Sequence, residues 1–303
     1  MRVTEMVMMV VVVVSPLLGF PEEAYGSQIK MYWTDMDGNA VGRANLDGSG
    51  VETVVSLAQT DQRAMGLAVD VEAGKVYWSD IAGGRLHRAN LDGSGAEELS
   101  GTSSGHISYV ALDVADGKVY WTASYSIRRA NMDGSDMEII VSALQDPRGI
   151  DLDLVAGHVY WAEHETGKIT RANLNGTDVT TLIMSPIPWT IELDVPGDKM
   201  YWTDRQTHRL YRANLNGSSM EEMFWLGTNF SSGQDIALDL PNGKVYYTDH
   251  YNNVIRRANF DGSMPEDLVT GVDAYSVLII PEPATLALLA FGGLLLLRRR
   301  RER

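Results

Sequence analysis

An aromatic pair returns six times along this chain at spacings of 40 to 45 residues, and that recurrence decides what the chain can fold into. The pairs begin at Tyr32, Tyr77, Tyr120, Tyr160, Tyr201 and Tyr246. Each sits in the same frame. An apolar stretch ends in Asp seven residues before the Tyr, at Asp70, Asp113, Asp153, Asp194 and Asp239. A turn such as Ala115-Asp116-Gly117-Lys118 follows, then the aromatic strand, a variable turn and an Arg-Ala-Asn strand. Asp-Gly or Asn-Gly closes that strand, and a short fourth stretch such as Met137 to Val141 ends the unit. The dipeptides suggest type I′ hairpin turns. Four short strands per unit of this length is the arithmetic of an all-β, six-bladed β-propeller with four-stranded blades. One blade alone leaves apolar faces uncovered, so the ring must close.

The closing strand is visible. The first unit begins directly on its aromatic strand at residues 28–31. After the sixth unit, Tyr275-Ser276-Val277-Leu278-Ile279-Ile280 repeats the first-strand pattern. This C-terminal strand is expected to enter the first blade and clasp the ring. The propeller then occupies residues 27–280.

The remaining composition mostly excludes functions. The 303 residues carry a net charge of −15, which repels phosphate backbones and argues against nucleic acid as a partner. There is no Cys, so thiol catalysis, disulfides and Cys-bound metal are ruled out. Hydrophobic residues at 45 % and charged residues at 21 % suit a globular domain.

Both ends look like address labels. Met6 to Phe20 is almost wholly apolar after Arg2, and Ala24-Tyr25-Gly26 offers a cleavage site before Ser27. Residues 1–26 read as a secretory signal peptide, with an uncleaved anchor as the alternative. At the other end, residues 281–303 hold Pro281-Glu282-Pro283, an apolar run from Ala284 to Leu297, and Arg298, Arg299, Arg300 and Arg301. Fourteen apolar residues make a helix of about 21 Å, short of a hydrocarbon core of roughly 30 Å. The basic cluster would stay cytoplasmic. This tail resembles the PEP-CTERM sorting signal of bacteria. The resemblance implies cutting near Pro281-Glu282-Pro283 by an exosortase-type processing enzyme, with brief anchoring in the inner membrane and then release or attachment outside. A permanent tail anchor is the alternative.

The motifs Tyr32-Trp33-Thr34-Asp35, Tyr77-Trp78-Ser79-Asp80 and Tyr201-Trp202-Thr203-Asp204 resemble the class B repeats of low-density lipoprotein receptors. That family folds as a six-bladed propeller and binds ligands at one face. Units three, four and six depart from the motif, with Ala123, Ala162-Glu163 and Tyr247. The receptors' Cys-rich modules are missing, so lipoprotein uptake is not implied.

Alternation along the strand sends Tyr77 and Ser79 toward one neighbouring blade and Trp78 and Asp80 toward the other. The repeated aromatics, Thr, Asp and Arg therefore read as structural. Asn175-Gly-Thr and Asn216-Gly-Ser match glycosylation acceptors but read as turns, and Asn229-Phe-Ser is a third match.

Function is expected where the repeats disagree. Five residues before the repeated Asp position the units read Met65, Ser108, Arg148, Trp189, Gln234 and Tyr275. These six are the candidate ligand-binding residues, expected as a ring at one mouth of the central channel. His164, Glu165, Arg205, Trp225, Phe230, His250 and Tyr251 lie on loops at the same end. A ring of aromatics, a guanidinium and an amide suits a peptide, another envelope protein or an extracellular polysaccharide. The alternative is that the ring only plugs the channel.

The first reading is thus a non-catalytic exported binding or scaffold protein, with no cofactor. The alternative is a hydrolase or lactonase-like propeller with a metal in the channel, which is fold-level analogy. The chain has neither Gly-x-Ser-x-Gly nor His-Glu-x-x-His. Its nearest clusters are Glu163-His164-Glu165 and Asp249-His250.

Overall fold

The structure, a computed structural model, describes residues 29–57, 63–101, 106–227 and 235–281. The signal peptide, Gln234, Phe230, the Asn229 acceptor and the tail beyond Pro281 lie outside the described residues.

The described strands form six four-stranded antiparallel sheets, one per repeat. In blades two to six the strands lie in chain order from the first strand outward. Blade four runs Pro147–Asp153, His158–Glu163, Lys168–Asn173 and Thr180–Met184. Blade one differs as expected. Its innermost strand is Ala274–Pro281, paired antiparallel with Ile29–Asp35, with Tyr32 opposite Leu278 and Trp33 opposite Val277. The last strand of the domain therefore closes the ring. Arg257 Nη1 reinforces the seam by donating to the Leu46 carbonyl in blade one at 3.0 Å.

The aromatic pairs fill the wedges between blades. Tyr32 shares a buried cluster with Trp78 of the next blade, Tyr120 with Trp161, Tyr160 with Trp202, Tyr201 with Tyr247, and Tyr246 with Trp33. The Tyr thus faces the following blade and the second aromatic the preceding one, as alternation requires. A ring of this size buries roughly 150–250 Å², about 4–6 kcal/mol at about 25 cal/mol per Å².

The turn chemistry differs in detail from the sequence expectation. Of each Asp-Gly or Asn-Gly pair only the glycine has positive φ, for example +81° at Gly48 and +82° at Gly93. A type I′ turn needs two such residues. The loop is instead a turn closed by Gly48 N–H donating to the Asn45 carbonyl (2.9 Å), with the left-handed glycine after it. A side chain there would also collide with the preceding blade, since a Cβ on Gly48 would lie 2.2 Å from the Leu268 carbonyl oxygen of blade six. The two described glycosylation matches are turns too. Asn175 Oδ1 accepts from the backbone N–H and hydroxyl of Thr177, and Asn216 Oδ1 accepts the same pair from Ser218.

One repeated irregularity positions the site. The pairing of the innermost strand with its neighbour shifts between Ala64 and Leu67, Ile107 and Val110, Pro147 and Ile150, and Pro188 and Ile191. These bulges take Met65, Ser108, Arg148 and Trp189 out of the regular ladder. A bulge re-aims side chains and frees a backbone N–H. The Thr or Ser of the aromatic motif accepts that N–H. Ser79 accepts from Gly66 (2.8 Å), Thr122 from Tyr109 (2.9 Å), Thr203 from Thr190 (3.4 Å), Thr248 from Asp235 (3.0 Å) and Thr34 from Ser276 (3.0 Å).

Candidate functional site

The bulged positions meet at one mouth of the channel. Met65, Arg148, Trp189 and Tyr275 line a single cavity of about 380 Å³. Ser108 lies beneath them, 2 % exposed, and its hydroxyl accepts from Arg148 Nη1 at 3.2 Å. Sequence reasoning missed Met36, Arg63, Ile81 and His106, which complete the wall. Their strand-end and loop positions carry no repeat signal.

Trp189 is the floor rather than an exposed stacking surface. It is 5 % exposed, and two guanidiniums lie over its ring, Arg148 at 4.6 Å and Arg205 at 4.5 Å from the centroid. The His164 ring meets its edge at 5.2 Å. Cation–π contacts of this kind contribute about 0.5–2 kcal/mol each. Arg148 is fixed further by Asp146, whose Oδ2 accepts from Nε (3.0 Å) and Nη2 (2.8 Å). His164 Nδ1 stands 3.1 Å from the same oxygen. Burial works against the Asp146 carboxylate, yet His164 and Arg148 together hold it below the usual range. Tyr275 packs on His250 with ring centroids 4.6 Å apart, and His250 Nδ1 pairs with Asp273. Of the other loop residues, Glu165, Trp225 and Tyr251 are exposed.

Below the mouth sit three carboxylates that sequence reasoning also missed, Asp235 on a buried residue and Asp151 and Glu192 on half-buried ones. Asp151 and Glu192 occupy the position that reads Ala68, Ala111 and Ala237 in other blades, so a comparison of repeats carried the signal. Asp151 Oδ2 accepts from Leu193 N–H in blade five at 2.8 Å, and Glu192 Oε1 accepts from Leu238 N–H in blade six at 3.1 Å. Asp235 accepts the hydroxyls of Thr190 and Ser276, each at 2.6 Å, and the Val277 N–H at 3.1 Å. These acids therefore fasten blades four, five, six and one through their innermost strands. Burial pushes Asp151 and Asp235 up to about 6. Burial, with the Asp151 charge second, raises Glu192 well above the ordinary range. Glu192 Oε2 is enclosed without a hydrogen-bond partner, which suits a protonated carboxyl or a shared proton.

The lactonase reading needs a metal in this channel. Among the described residues no three His, Asp or Glu side chains converge as an ion-holding set, and both oxygens of Asp151 and of Asp235 already accept hydrogen bonds from the protein. The donors among the described residues do not fit a metal centre.

The comparisons agree with this architecture. Residues 280–301 match the PEP-CTERM protein-sorting motif, which marks an exported protein sorted to the bacterial envelope. A human low-density lipoprotein receptor-related protein 5-like protein is 30 % identical over 162 residues, covering 52 % of this chain and 64 % of that protein. A low-density lipoprotein receptor-related protein 1 from Pyricularia oryzae is 33 % identical over 85 residues, covering 24 % of this chain and 28 % of that protein. The chain thus spans less than two thirds of these relatives. A chain in the crystal structure of a nidogen/laminin complex superposes with TM-score 0.74 at 22 % identity, covering 83 % of this chain and 98 % of that one. TolB from Acinetobacter baumannii superposes with TM-score 0.69 at 15 % identity, covering 88 % and 69 %. Both share the fold. Residues 63–288, most of the propeller, match the SMP-30/gluconolactonase/LRE-like region, and the chain belongs to that family.

Proposed function

We propose that this is a non-catalytic surface protein that binds a peptide, an envelope protein or an extracellular polysaccharide at the channel mouth, after exosortase-type processing near Pro281-Glu282-Pro283. Residues 1–26, 27–280 and 281–303 would be its export signal, binding domain and sorting tail. One observation carries the reading. The repeated motif residues are consumed in packing and hydrogen bonding, while the unequal residues gather around one preformed concavity. The receptor-type names of the relatives point the same way.

The test uses the full-length chain purified in mild detergent, presented with the producing cell's secreted proteins and envelope polysaccharide. Binding by the native protein, lost in a folded Arg148→Ala/Tyr275→Ala variant, supports the reading. Equal binding by that variant removes the mouth as the site. The family name and the three acids below the mouth keep a second reading, lactone hydrolysis in the channel. It predicts lactone turnover by the purified chain that Glu192→Gln abolishes.

A further inference from the structure

Resting on that binding reading, we propose that the mouth recognises a carboxylate on an acidic peptide segment of a protein partner, with Arg205 as the residue that receives it. The chain carries −15, yet Arg63, Arg148 and Arg205 stand together at this rim. The repeated arginines Arg43, Arg88, Arg129, Arg212 and Arg257 each hold a carboxylate of their own blade. Arg148 is likewise spent on Asp146. Among the described residues Arg63, Arg171 and Arg205 hold none, and of the two at the mouth Arg63 is exposed to water while Arg205 is desolvated. Half-buried over Trp189, it has no carboxylate within 4.0 Å among the described residues. Its Nη1 reaches only a ring nitrogen, His164 Nε2, at 3.5 Å. Burial and the neighbouring Arg148 both work against its charge. A guanidinium desolvated without a counter-charge is costly, and a ligand carboxylate answering its forked donors returns that cost.

The surroundings favour a peptide over a sugar. A pyranose packs on a free aromatic face, and the Trp189 face is taken by two guanidiniums. The cavity beside them is small and walled by Met36, Met65 and Ile81. Methionine walls adapt to an aliphatic side chain. An acidic residue flanked by an apolar one matches charge and wall together. The carboxylate is either a side chain or a chain terminus, which offer the same chemistry.

The experiment screens a random peptide library, displayed with internal and with free C-terminal ends, against the full-length chain in detergent. Enriched peptides are then resynthesised with Asp or Glu replaced by Asn or Gln, or with the terminus amidated. The expected result is enrichment of an acidic residue beside an apolar one. Affinity falls about 10- to 100-fold for the neutral peptide and for Arg205→Gln, with partial retention in Arg205→Lys. The terminal and internal arms tell which carboxylate is read. Peptides selected without an acid, an unaffected Arg205→Gln, no captured peptide, or Arg205-dependent binding of polygalacturonate instead would each overturn the proposal. Peptides that bind the Arg148→Ala/Tyr275→Ala variant as well as the native protein would sink the mouth reading itself. Loss in that variant without any preference for the acid would sink only the carboxylate inference.

Discussion

The two ends of this ring are built from the same blades, yet only one of them is nearly uniform. At the turn end five blades repeat one polar device, and blade four departs from it with His158 in place of the lysine. Lys30 reaches Asn45, Asn45 donates to Ser49 (2.8 Å), and Asp47 accepts the Ser49 N–H (2.9 Å) and hydroxyl (2.6 Å). The same set recurs at Lys75, Asn90, Ser94 and Asp92, and at Lys118, Asn131, Ser135 and Asp133. Its donors and acceptors satisfy one another, so nothing is left over for a ligand. At the mouth no two of the described ring residues are alike, and the half-buried Arg205 guanidinium has no carboxylate among the described residues. Repetition makes the ring; departure from it makes the site.

That contrast can be broken at several depths. A wedge residue common to both ends is expected to matter most. Trp202→Ala should cost about 3–5 kcal/mol, seen as a lower urea midpoint, because it empties the seam between blades four and five. A hydroxyl that holds a bulge comes next. Thr34 donates to the Met65 carbonyl (2.7 Å) and accepts from Ser276 N–H (3.0 Å). Thr34→Val should cost about 1–3 kcal/mol and loosen amide protection at Ser276 in hydrogen exchange.

The acids below the mouth give a contrast that depends on pH. A carboxyl raised in the folded state is held in its protonated form by folding. Its stabilising contribution is complete below the unfolded value near 4 and is lost as pH rises through the folded value. Asp151 and Asp235 at about 6 therefore weaken the ring between about pH 4 and 6, and Glu192 extends that loss upward. Glu192→Gln should raise stability by about 1–3 kcal/mol at pH 8 and by little at pH 4, measured by urea unfolding at both. The opposite ordering would mean that Glu192 is ionised and paired. The smallest change belongs to the turn side. Glu52→Gln, which opens the half-exposed pair with Arg43, should shift stability by at most about 1 kcal/mol and by less in high salt.

How much of this was legible follows from what repeats. The six Tyr pairs and the Tyr275–Ile280 strand spelled out blade count and closure, because alternation and spacing translate directly into strands. Counting back from the repeated Asp also found Met65, Arg148, Trp189 and Tyr275, which the fold brings to one cavity. The cover over Trp189 was not legible, since Arg148 and Arg205 come from different blades and meet over its ring only in three dimensions. The bulge was hidden because the Thr of each motif looks like an ordinary strand residue until its partner N–H is known. Arg63 and His106 enter from loops whose lengths vary between repeats.

The most direct test places both ends side by side. The producing cell's secreted proteins and envelope polysaccharide would be offered to the native full-length chain, to the Arg148→Ala/Tyr275→Ala mouth variant and to an Asn45→Ala turn-end variant. Binding that survives the turn-end change and vanishes with the mouth change is the predicted result. Binding that follows the turn end, or ignores both, would contradict a propeller that reads its partner through the channel mouth.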